Sequence, residues 1–162
     1  MFYLSERRII QALIAAHERG VKLRVLLDPN KDAFGRTKNG IPNRPVAAEL
    51  HRAGIDVRWC NTQGEQCHSK ILLKRSMYNT EIILGSANFT ARNLKNYNLE
   101  TNLRVVGPAN AKVFTDATQY FERAWHNQDG QKHSVDYAQY ADESTLKYVL
   151  YRVMEWTGLS TF

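Results

Sequence analysis

The sequence predicts an α/β fold in which a mixed, mostly parallel sheet is flanked by helices and followed by a C-terminal helical extension. Helical and strand-like patterns alternate over residues 5–60, an order that favours parallel strands joined by helices. Two apolar runs joined by a polar link follow at residues 71–86, which is typical of an antiparallel hairpin. Two amphipathic helical patterns, at residues 109–127 and 143–158, close the chain.

The first helix is predicted to begin near Glu6, with Ser5 as its N-terminal cap and Gly20 as its stop. The apolar density of residues 21–29 then predicts a strand that is buried on both faces. A polar segment rich in Gly, Pro and Asn follows at residues 29–44. Loops of this length in a compact domain are often functional.

A short helix is predicted over residues 45–54, and the next strand over residues 55–60. Residues 71–74 and 81–86 are the arms of the hairpin, and residues 99–106 form a further strand. No regular element is predicted between the two closing helices, because that segment lacks periodicity. Each closing helix carries one apolar stripe: Val113, Ala117, Tyr120, Phe121 and Trp125 on the first, and Leu146, Val149, Val153 and Trp156 on the second.

The length and composition indicate one packed domain. The chain has 162 residues, of which 43% are hydrophobic and 23% charged, so a disordered chain is excluded. We divide it into a motif-bearing domain at residues 1–127 and, at residues 128–162, a linker and a C-terminal helix packed on that domain. Residues 1–4 look like the tail of a strand, so we expect either an unusually short first strand or a longer parent protein.

The charge balance favours partners that carry phosphate. The net charge is +6 and the sequence pI is about 9.4. Nucleic acid, anionic lipid headgroups and small phosphodiesters all suit such a chain.

Two cysteines, Cys60 and Cys67, lack the spacing of a zinc site. We expect both to be reduced and structural, which favours a cytoplasmic location. No apolar run approaches the roughly 20 residues of a membrane span, and the N-terminus lacks the order of a signal peptide. Any membrane contact is therefore expected to be peripheral, at the inner membrane face.

The residues that carry chemistry lie at the base of the hairpin. His68 and Lys70 are two residues apart, so on an extended strand they point to the same face. Ser86 and Asn88 share this relation beyond the opposite arm, and a hairpin brings such positions within reach of each other. Each half of this pattern is weak alone, because a surface strand or a turn explains it. Both halves on one hairpin favour a site where an imidazole reacts and Lys and Asn bind phosphate oxygens.

With this pattern, the chain resembles the phospholipase D superfamily of HKD phosphodiesterases, in particular its cardiolipin synthase-like domains. His-Ser-Lys at 68–70 is similar to the H-x-K of the family motif, and Gly-Ser-Ala-Asn at 85–88 is similar to its downstream G-S-x-N. The resemblance covers about residues 5–127. It implies a phospholipase D-like sandwich, as the C-terminal half of a two-motif protein.

One position departs from the family motif. The family has an Asp after the Lys, with four residues between them, and this chain has Arg75 there. Because that Asp is mainly structural in the family, the change affects support of the motif strand more than the chemistry. Glu81 across the hairpin is a candidate substitute, although a solvated charge at the strand end is the simpler interpretation.

The resemblance implies a role for each motif residue. His68 would attack phosphorus and form a phosphohistidine, and Lys70 and Asn88 would neutralise and position the phosphoryl oxygens, supported by Ser86. Glu100 would accept the hydrogen bond from the second ring nitrogen of His68 and fix its tautomer. No metal or other cofactor is expected, because Lys supplies the positive charge.

Four further residues are expected to contact the substrate. Arg36 and Lys38 lie in the long polar loop, and Arg92 and Asn93 follow the G-S-x-N turn.

The chemistry requires a second imidazole to protonate the leaving oxygen. The other histidines have no H-x-K context and are expected to be surface or helix-end residues: His17, His51, His126 and His133. The second motif is therefore expected from a homodimer mate or from a missing N-terminal half.

The favoured function is a phospholipase D-type phosphodiesterase or phosphatidyltransferase. The long loop and the appended helix favour a phospholipid headgroup as substrate, since they exceed what a minimal nuclease needs. A nuclease of the same superfamily is one alternative, and a non-catalytic half-domain or binding module is the other.

Overall fold

The fold contains five α-helices and eight strands in the part of the chain that the structure describes. A computed structural model describes residues 1–33, 36–95 and 97–157, without the side chains of residues 32, 33 and 36. In chain order the elements are α1 (Arg7–Glu18), β1 (Arg24–Leu27), β2 (Asp32–Ala33), β3 (Arg36–Thr37), α2 (Asn43–Arg52), β4 (Asp56–Cys60), β5 (Ile71–Arg75), β6 (Thr80–Gly85), α3 (Ala91–Leu94), β7 (Asn102–Gly107), α4 (Lys112–His126), β8 (Ser134–Asp136) and α5 (Thr145–Thr157).

The predicted α/β class is confirmed, with two three-stranded sheets and a two-stranded β2–β3 ribbon. The first sheet has the order β1-β4-β8 and the second has the order β5-β6-β7. Pairing is less parallel than expected. Among the described strands only β1 and β4 pair in parallel, because α2 provides the crossover that parallel pairing needs. The short connections from β5 to β6 and from β6 to β7 enforce antiparallel pairing, as predicted for the hairpin.

Residues 1–5 join the two sheets and form only an isolated bridge at Leu4, where the sequence suggested the tail of a strand. The Asp28 amide donates to the Met1 carbonyl at 3.0 Å on the β1 side. On the other side Leu4 forms a parallel bridge with Phe89, and the Phe89 amide donates to the Tyr3 carbonyl at 3.1 Å. This segment therefore places the G-S-x-N turn beside the end of β1.

The predicted stop of α1 is confirmed, but its predicted cap is wrong. Gly20 adopts a positive φ of 88°, which only Gly tolerates easily at a helix end. Glu6, rather than Ser5, is the N-cap, and its side chain accepts from the Arg8 amide. Ser5 is fully buried, and its hydroxyl makes no hydrogen bond in the described structure.

The segment after α4 contains β8, which the sequence did not reveal. Ser134–Asp136 is only three residues long and pairs antiparallel with β4. Such a strand has too few residues to show a period. It depends on long-range partners, including the Trp59 indole, which donates to the Tyr137 carbonyl at 2.7 Å.

The expectation of two reduced cysteines is wrong in this structure, because Cys60 and Cys67 form a disulfide. Cys60 ends β4, and Cys67 lies directly before His68. The bond therefore ties the segment that carries the H-x-K motif to the end of β4.

Helix α5 packs on the domain through the face opposite to the predicted stripe. Tyr151 is fully buried in the main core cluster, and Tyr148 and Met154 pack against that cluster. The predicted stripe faces outward, with Leu146 78% and Trp156 86% exposed. The sequence pattern could not distinguish the two faces, because Tyr148, Tyr151 and Met154 also recur at helical spacing and form a second apolar face on this helix. The domain boundary at residue 127 stays a prediction.

No helix among the described residues combines the length and the apolar character needed to cross a bilayer.

Candidate functional site

The H-x-K segment lies in extended chain just before β5, beyond the carboxyl ends of the parallel strands β1 and β4. In open α/β sheets this edge is where ligands bind. His68 is exposed, whereas Lys70 is only 7% exposed. The Lys70 ammonium donates to the His68 carbonyl at 2.7 Å.

Phe2 is the aromatic floor under both motif residues. Its ring centroid lies 4.9 Å from that of the His68 imidazole. The Lys70 ammonium lies 5.3 Å from the same ring, within the range of a cation–π contact. The N-terminal segment thus packs against both motif side chains, a contact that the sequence pattern did not indicate.

The field at the site favours a neutral imidazole. Burial, and then the positive charge of Lys70, lower the pKa of His68 below its ordinary value, and Asp28 raises it in part. Burial lowers the pKa of Lys70 to about 8, although Glu100 and Asp28 oppose this shift. At neutral pH the pair is therefore a free base beside a cation, which is what attack on a phosphate needs.

Ser86, Asn93 and Glu100 form a second cluster after the G-S-x-N turn. The Ser86 hydroxyl and the Asn93 amide both donate to the Glu100 carboxylate. The Thr101 amide donates to the Ser86 hydroxyl at 3.0 Å. Asn93 was expected to contact the substrate, but it holds Glu100 here.

Glu100 therefore differs from its expected pairing. Its two oxygens accept from Ser86 and Asn93, and the His68 imidazole makes no hydrogen bond within the described residues. Glu100 instead faces Lys70, where its charge favours the protonated ammonium.

Asn88 lies between the two sheets. Its side-chain oxygen accepts from the Tyr3 amide at 3.2 Å, which leaves its NH₂ group as a donor. The structure thus holds Asn88 on the N-terminal segment, next to the Phe2 floor.

Three further residues were expected to contact the substrate. The side chain of Arg36 lies outside the described part of the chain. Lys38 is half-buried and its amide donates to the Lys31 carbonyl at 2.6 Å. Arg92 lies in α3 and is half-buried with a partner of its own. Substrate contact by these residues stays a prediction.

Arg75 is exposed at the end of β5 that lies away from the H-x-K motif. It therefore does not replace the family Asp in holding the motif strand. Glu81 does not pair with it, because Glu81 accepts from Arg104 at 2.6 Å and lies 4.0 Å from Lys74.

Asp28 is a site residue that the sequence reasoning missed. It is 1% exposed and accepts the Cys67 amide at 2.7 Å. A signal was available, since Asp28 ends a buried parallel strand and ligand sites cluster at such ends.

Among the described residues, no other histidine hydrogen-bonds the side chains of His68 or Lys70. His51 stacks on Tyr137, with ring centroids 4.0 Å apart, and His126 lies 3.2 Å from Glu122. His17 lies under Gly54, and the His133 carbonyl accepts from Asn61. A second imidazole for the site is therefore not found among the described residues.

Comparison with known proteins agrees with this arrangement. The family model described as cardiolipin synthase, PLD-like domain, matches residues 1–125. Mitochondrial cardiolipin hydrolase of Mus musculus is 28% identical over 134 residues, which cover 83% of this chain and 53% of that protein. The Canis lupus familiaris protein of the same name is 26% identical over 134 residues, which cover 83% of this chain and 46% of that protein.

The chain thus spans about half the length of the curated relatives it matches. The family match includes every residue of the H-x-K segment and of the G-S-x-N turn. This chain belongs to the family of cardiolipin synthase-type, phospholipase D-like domains.

Proposed function

We propose that the chain is a phospholipase D-type phosphodiesterase or phosphatidyltransferase domain that acts through a phosphohistidine at His68. The observation that carries the proposal is the exposed, unbonded His68 imidazole beside the buried Lys70 ammonium at the carboxyl ends of β1 and β4. This pairing gives a neutral nucleophile and a fixed cation, without a competing hydrogen bond on the imidazole among the described residues.

In the first step a ring nitrogen of His68 forms a bond to phosphorus and the bond from phosphorus to the leaving oxygen breaks. A second imidazole gives its proton to that oxygen. In the second step water or an alcohol attacks phosphorus and gives its proton to the second imidazole, and the bond to His68 breaks.

The supporting residues act on charge and position. Lys70 and the Asn88 NH₂ group face the phosphoryl oxygens, where negative charge grows in the transition state. Glu100, held by Ser86 and Asn93, favours the protonated form of Lys70 and so partly offsets the effect of burial on its pKa.

A phospholipid headgroup is the favoured substrate class. The segment after α3 carries exposed apolar side chains next to the Glu100 cluster, with Tyr97 73% exposed and Leu99 fully exposed. Apolar groups beside a phosphate site suit the acyl region below a headgroup, and would give peripheral contact with a membrane. The names of the curated relatives support a lipid diester.

A nuclease is the second candidate function. Tyr97 and Tyr120 are exposed close to the site, and exposed tyrosines are platforms on which unpaired bases stack. The net charge of +6 suits this substrate equally well.

The second imidazole comes from a second copy of this chain or from another H-x-K half. An apolar patch beside the motif supports such a partner, and consists of Leu84, Leu103 and Tyr120. Leu84 and Leu103 are paired across β6 and β7, and Leu103 is 61% exposed. The Tyr120 hydroxyl hydrogen-bonds Ser69, the central residue of the H-x-K motif, at 2.7 Å.

The test compares His68→Ala with His126→Ala on three substrates: bis(4-nitrophenyl) phosphate, cardiolipin vesicles and a single-stranded DNA oligonucleotide. We expect His68→Ala to lower kcat by about 1,000-fold or more, because the nucleophile is lost. His126→Ala should keep wild-type activity, since His126 lies 3.2 Å from Glu122, which pairs with Arg24 at the opposite, amino end of β1.

Unchanged activity in His68→Ala would assign the chemistry to another residue. Preference for vesicles over DNA would support the lipid diester, and the reverse would support the nuclease. A wild-type protein that binds these ligands without turnover would support the non-catalytic module instead.

A further inference from the structure

A buried carboxylate lies beside the site, and the proposed chemistry does not use it. Asp28 directly follows β1 and is 1% exposed. A carboxylate at such a depth needs hydrogen-bond donors to offset the loss of water. The donors that bind the Asp28 carboxylate show which segments of the chain it holds in place.

Asp28 receives hydrogen bonds from two segments. One oxygen accepts from the Asn30 amide at 2.7 Å and from the Asn30 side chain at 3.3 Å. The other oxygen accepts from the Cys67 amide at 2.7 Å. The second contact joins residues that are 39 positions apart, so it is not part of a local turn.

Cys67 is the residue just before His68, and it is held on two sides. Its side chain forms a disulfide with Cys60 at the end of β4, and its backbone amide donates a hydrogen bond to Asp28 directly after β1. The backbone just before the H-x-K segment is therefore anchored to both β1 and β4. By contrast, His68 itself has no side-chain hydrogen bond in the described structure.

Asp28 also faces the charged groups of the site. Its charge acts on His68 and on Lys70. The Met1 amine and the Tyr3 phenol face Asp28 from the N-terminal segment. Glu100 acts on Lys70 from the opposite side. Asp28 is thus the negative charge that faces the imidazole.

We propose that Asp28 is a positioning residue of the site: its carboxylate fixes the Cys67 amide and so holds His68 in place beside Lys70. This inference rests on the proposed function, because it takes His68 as the reacting group. Asp28 touches no substrate and acts through the backbone and the field at His68.

The first test is Asp28→Asn, which removes the charge and keeps the size of the side chain. The pKa of His68, followed by NMR of its ring protons, should fall, because the Asp28 charge raises it in the wild type. The kcat for bis(4-nitrophenyl) phosphate should fall by about 10- to 100-fold with KM unchanged, as expected for a displaced nucleophile.

The matched control is Asp116→Asn on α4, where an exposed carboxylate pairs with Lys112. This variant should keep the wild-type titration of His68 and the wild-type kcat. An Asp28→Asn protein that folds and titrates at His68 as the wild type does would overturn the proposal.

A measurement on the wild type decides the matter if Asp28→Asn fails to fold. The amide shift of Cys67 and the carboxyl carbon shift of Asp28 should titrate with one common midpoint, since the two groups share a hydrogen bond. A Cys67 amide that does not respond to the Asp28 titration would overturn the proposal.

These readouts separate the two hypotheses. If the proposed function fails, the wild type shows no turnover or His68→Ala keeps the wild-type turnover, yet the NMR titrations still respond to Asp28. If the Asp28 role fails, His68→Ala still abolishes activity while Asp28→Asn retains it.

Discussion

At the residue scale, His68 and Lys70 have opposite surroundings although they are two positions apart. His68 reaches solvent over the Phe2 ring, whereas Lys70 is buried and donates to the His68 carbonyl. Burial lowers both pKa values, which makes the imidazole neutral and leaves the ammonium close to its titration point. In the proposed mechanism the two residues therefore set the pH range of activity.

We predict a bell-shaped dependence of kcat/KM on pH. On the acid side activity falls as His68 gains a proton, with a midpoint below the ordinary histidine pKa of 6.5. On the alkaline side activity falls as Lys70 loses its proton, with a midpoint near pH 8. The measurement is kcat/KM for bis(4-nitrophenyl) phosphate between pH 5 and pH 10.

Lys70→Arg is the control for the alkaline limb. Its guanidinium stays charged throughout this range, so the limb near pH 8 should disappear even if the maximal rate is lower. An alkaline limb that persists in Lys70→Arg would assign that titration to another group.

The protonation of Lys70 should also affect the stability of the fold, which should increase with pH on the alkaline side, where activity falls. The folded-state pKa of about 8 lies below the value of 10.5 for a free lysine, so the unfolded chain binds the proton more tightly. The cost of burying the charge is fully present below pH 8. It is relieved as the pH rises from 8 towards 10.5.

The sequence located the motif residues but not their hydrogen-bond partners. H-x-K and G-S-x-N identified His68, Lys70, Ser86 and Asn88, because each pattern is local. Strand alternation could not predict the bonds of Glu100, since regular pairing of β6 with β7 ends at Gly85. Beyond that residue the turn, and not the pleat, directs the side chains.

At the element scale, the short N-terminal segment has more effect than its length suggests. Residues 1–5 provide the Phe2 floor and the link between the two sheets. The hydrophobic pattern predicted a strand there. It could not predict the neighbours, because β1 and Phe89 are distant in sequence, and the same limit hid β8 and the Cys60–Cys67 pairing.

Helix α5 offers a direct contrast between an inner and an outer aromatic residue. Tyr151 is fully buried, whereas Trp156 is 86% exposed on the same helix. Tyr151→Ala should lower the free energy of unfolding by about 3–5 kcal/mol, because it removes a large buried ring. Trp156→Ala should change it by less than about 0.5 kcal/mol.

Urea denaturation followed by circular dichroism measures both variants. A comparable loss of unfolding free energy in the two variants would mean that α5 also packs through its predicted stripe. No loss in either would mean that the helix does not belong to the cooperative unit.

At the scale of the whole molecule, the site has one H-x-K motif and an exposed apolar patch beside it. If a second copy of the chain supplies the second imidazole, the wild type is a homodimer. Its mass in sedimentation equilibrium should then be twice the chain mass of 18.7 kDa. Leu103→Glu should give the single-chain mass, because a buried unpaired charge opposes association.

Leu146→Glu is the matched control, since Leu146 is equally apolar and 78% exposed on α5, away from the motif. It should retain the wild-type mass. A monomeric wild type would assign the second imidazole to another H-x-K half, and dissociation by Leu146→Glu instead would move the interface to α5.

The central claim is that His68 is the nucleophile, and trapping of the covalent intermediate tests it most directly. With bis(4-nitrophenyl) phosphate the leaving phenolate needs no proton, so attack does not depend on the second imidazole. Trypsin cleaves after Arg58 and Lys70, and the peptide 59–70 contains His68 as its one histidine. After an alkaline quench, mass spectrometry should find the 4-nitrophenyl phosphoryl group on this peptide in the wild type and not in His68→Ala. Turnover without this adduct, or an adduct on another histidine, would contradict the account.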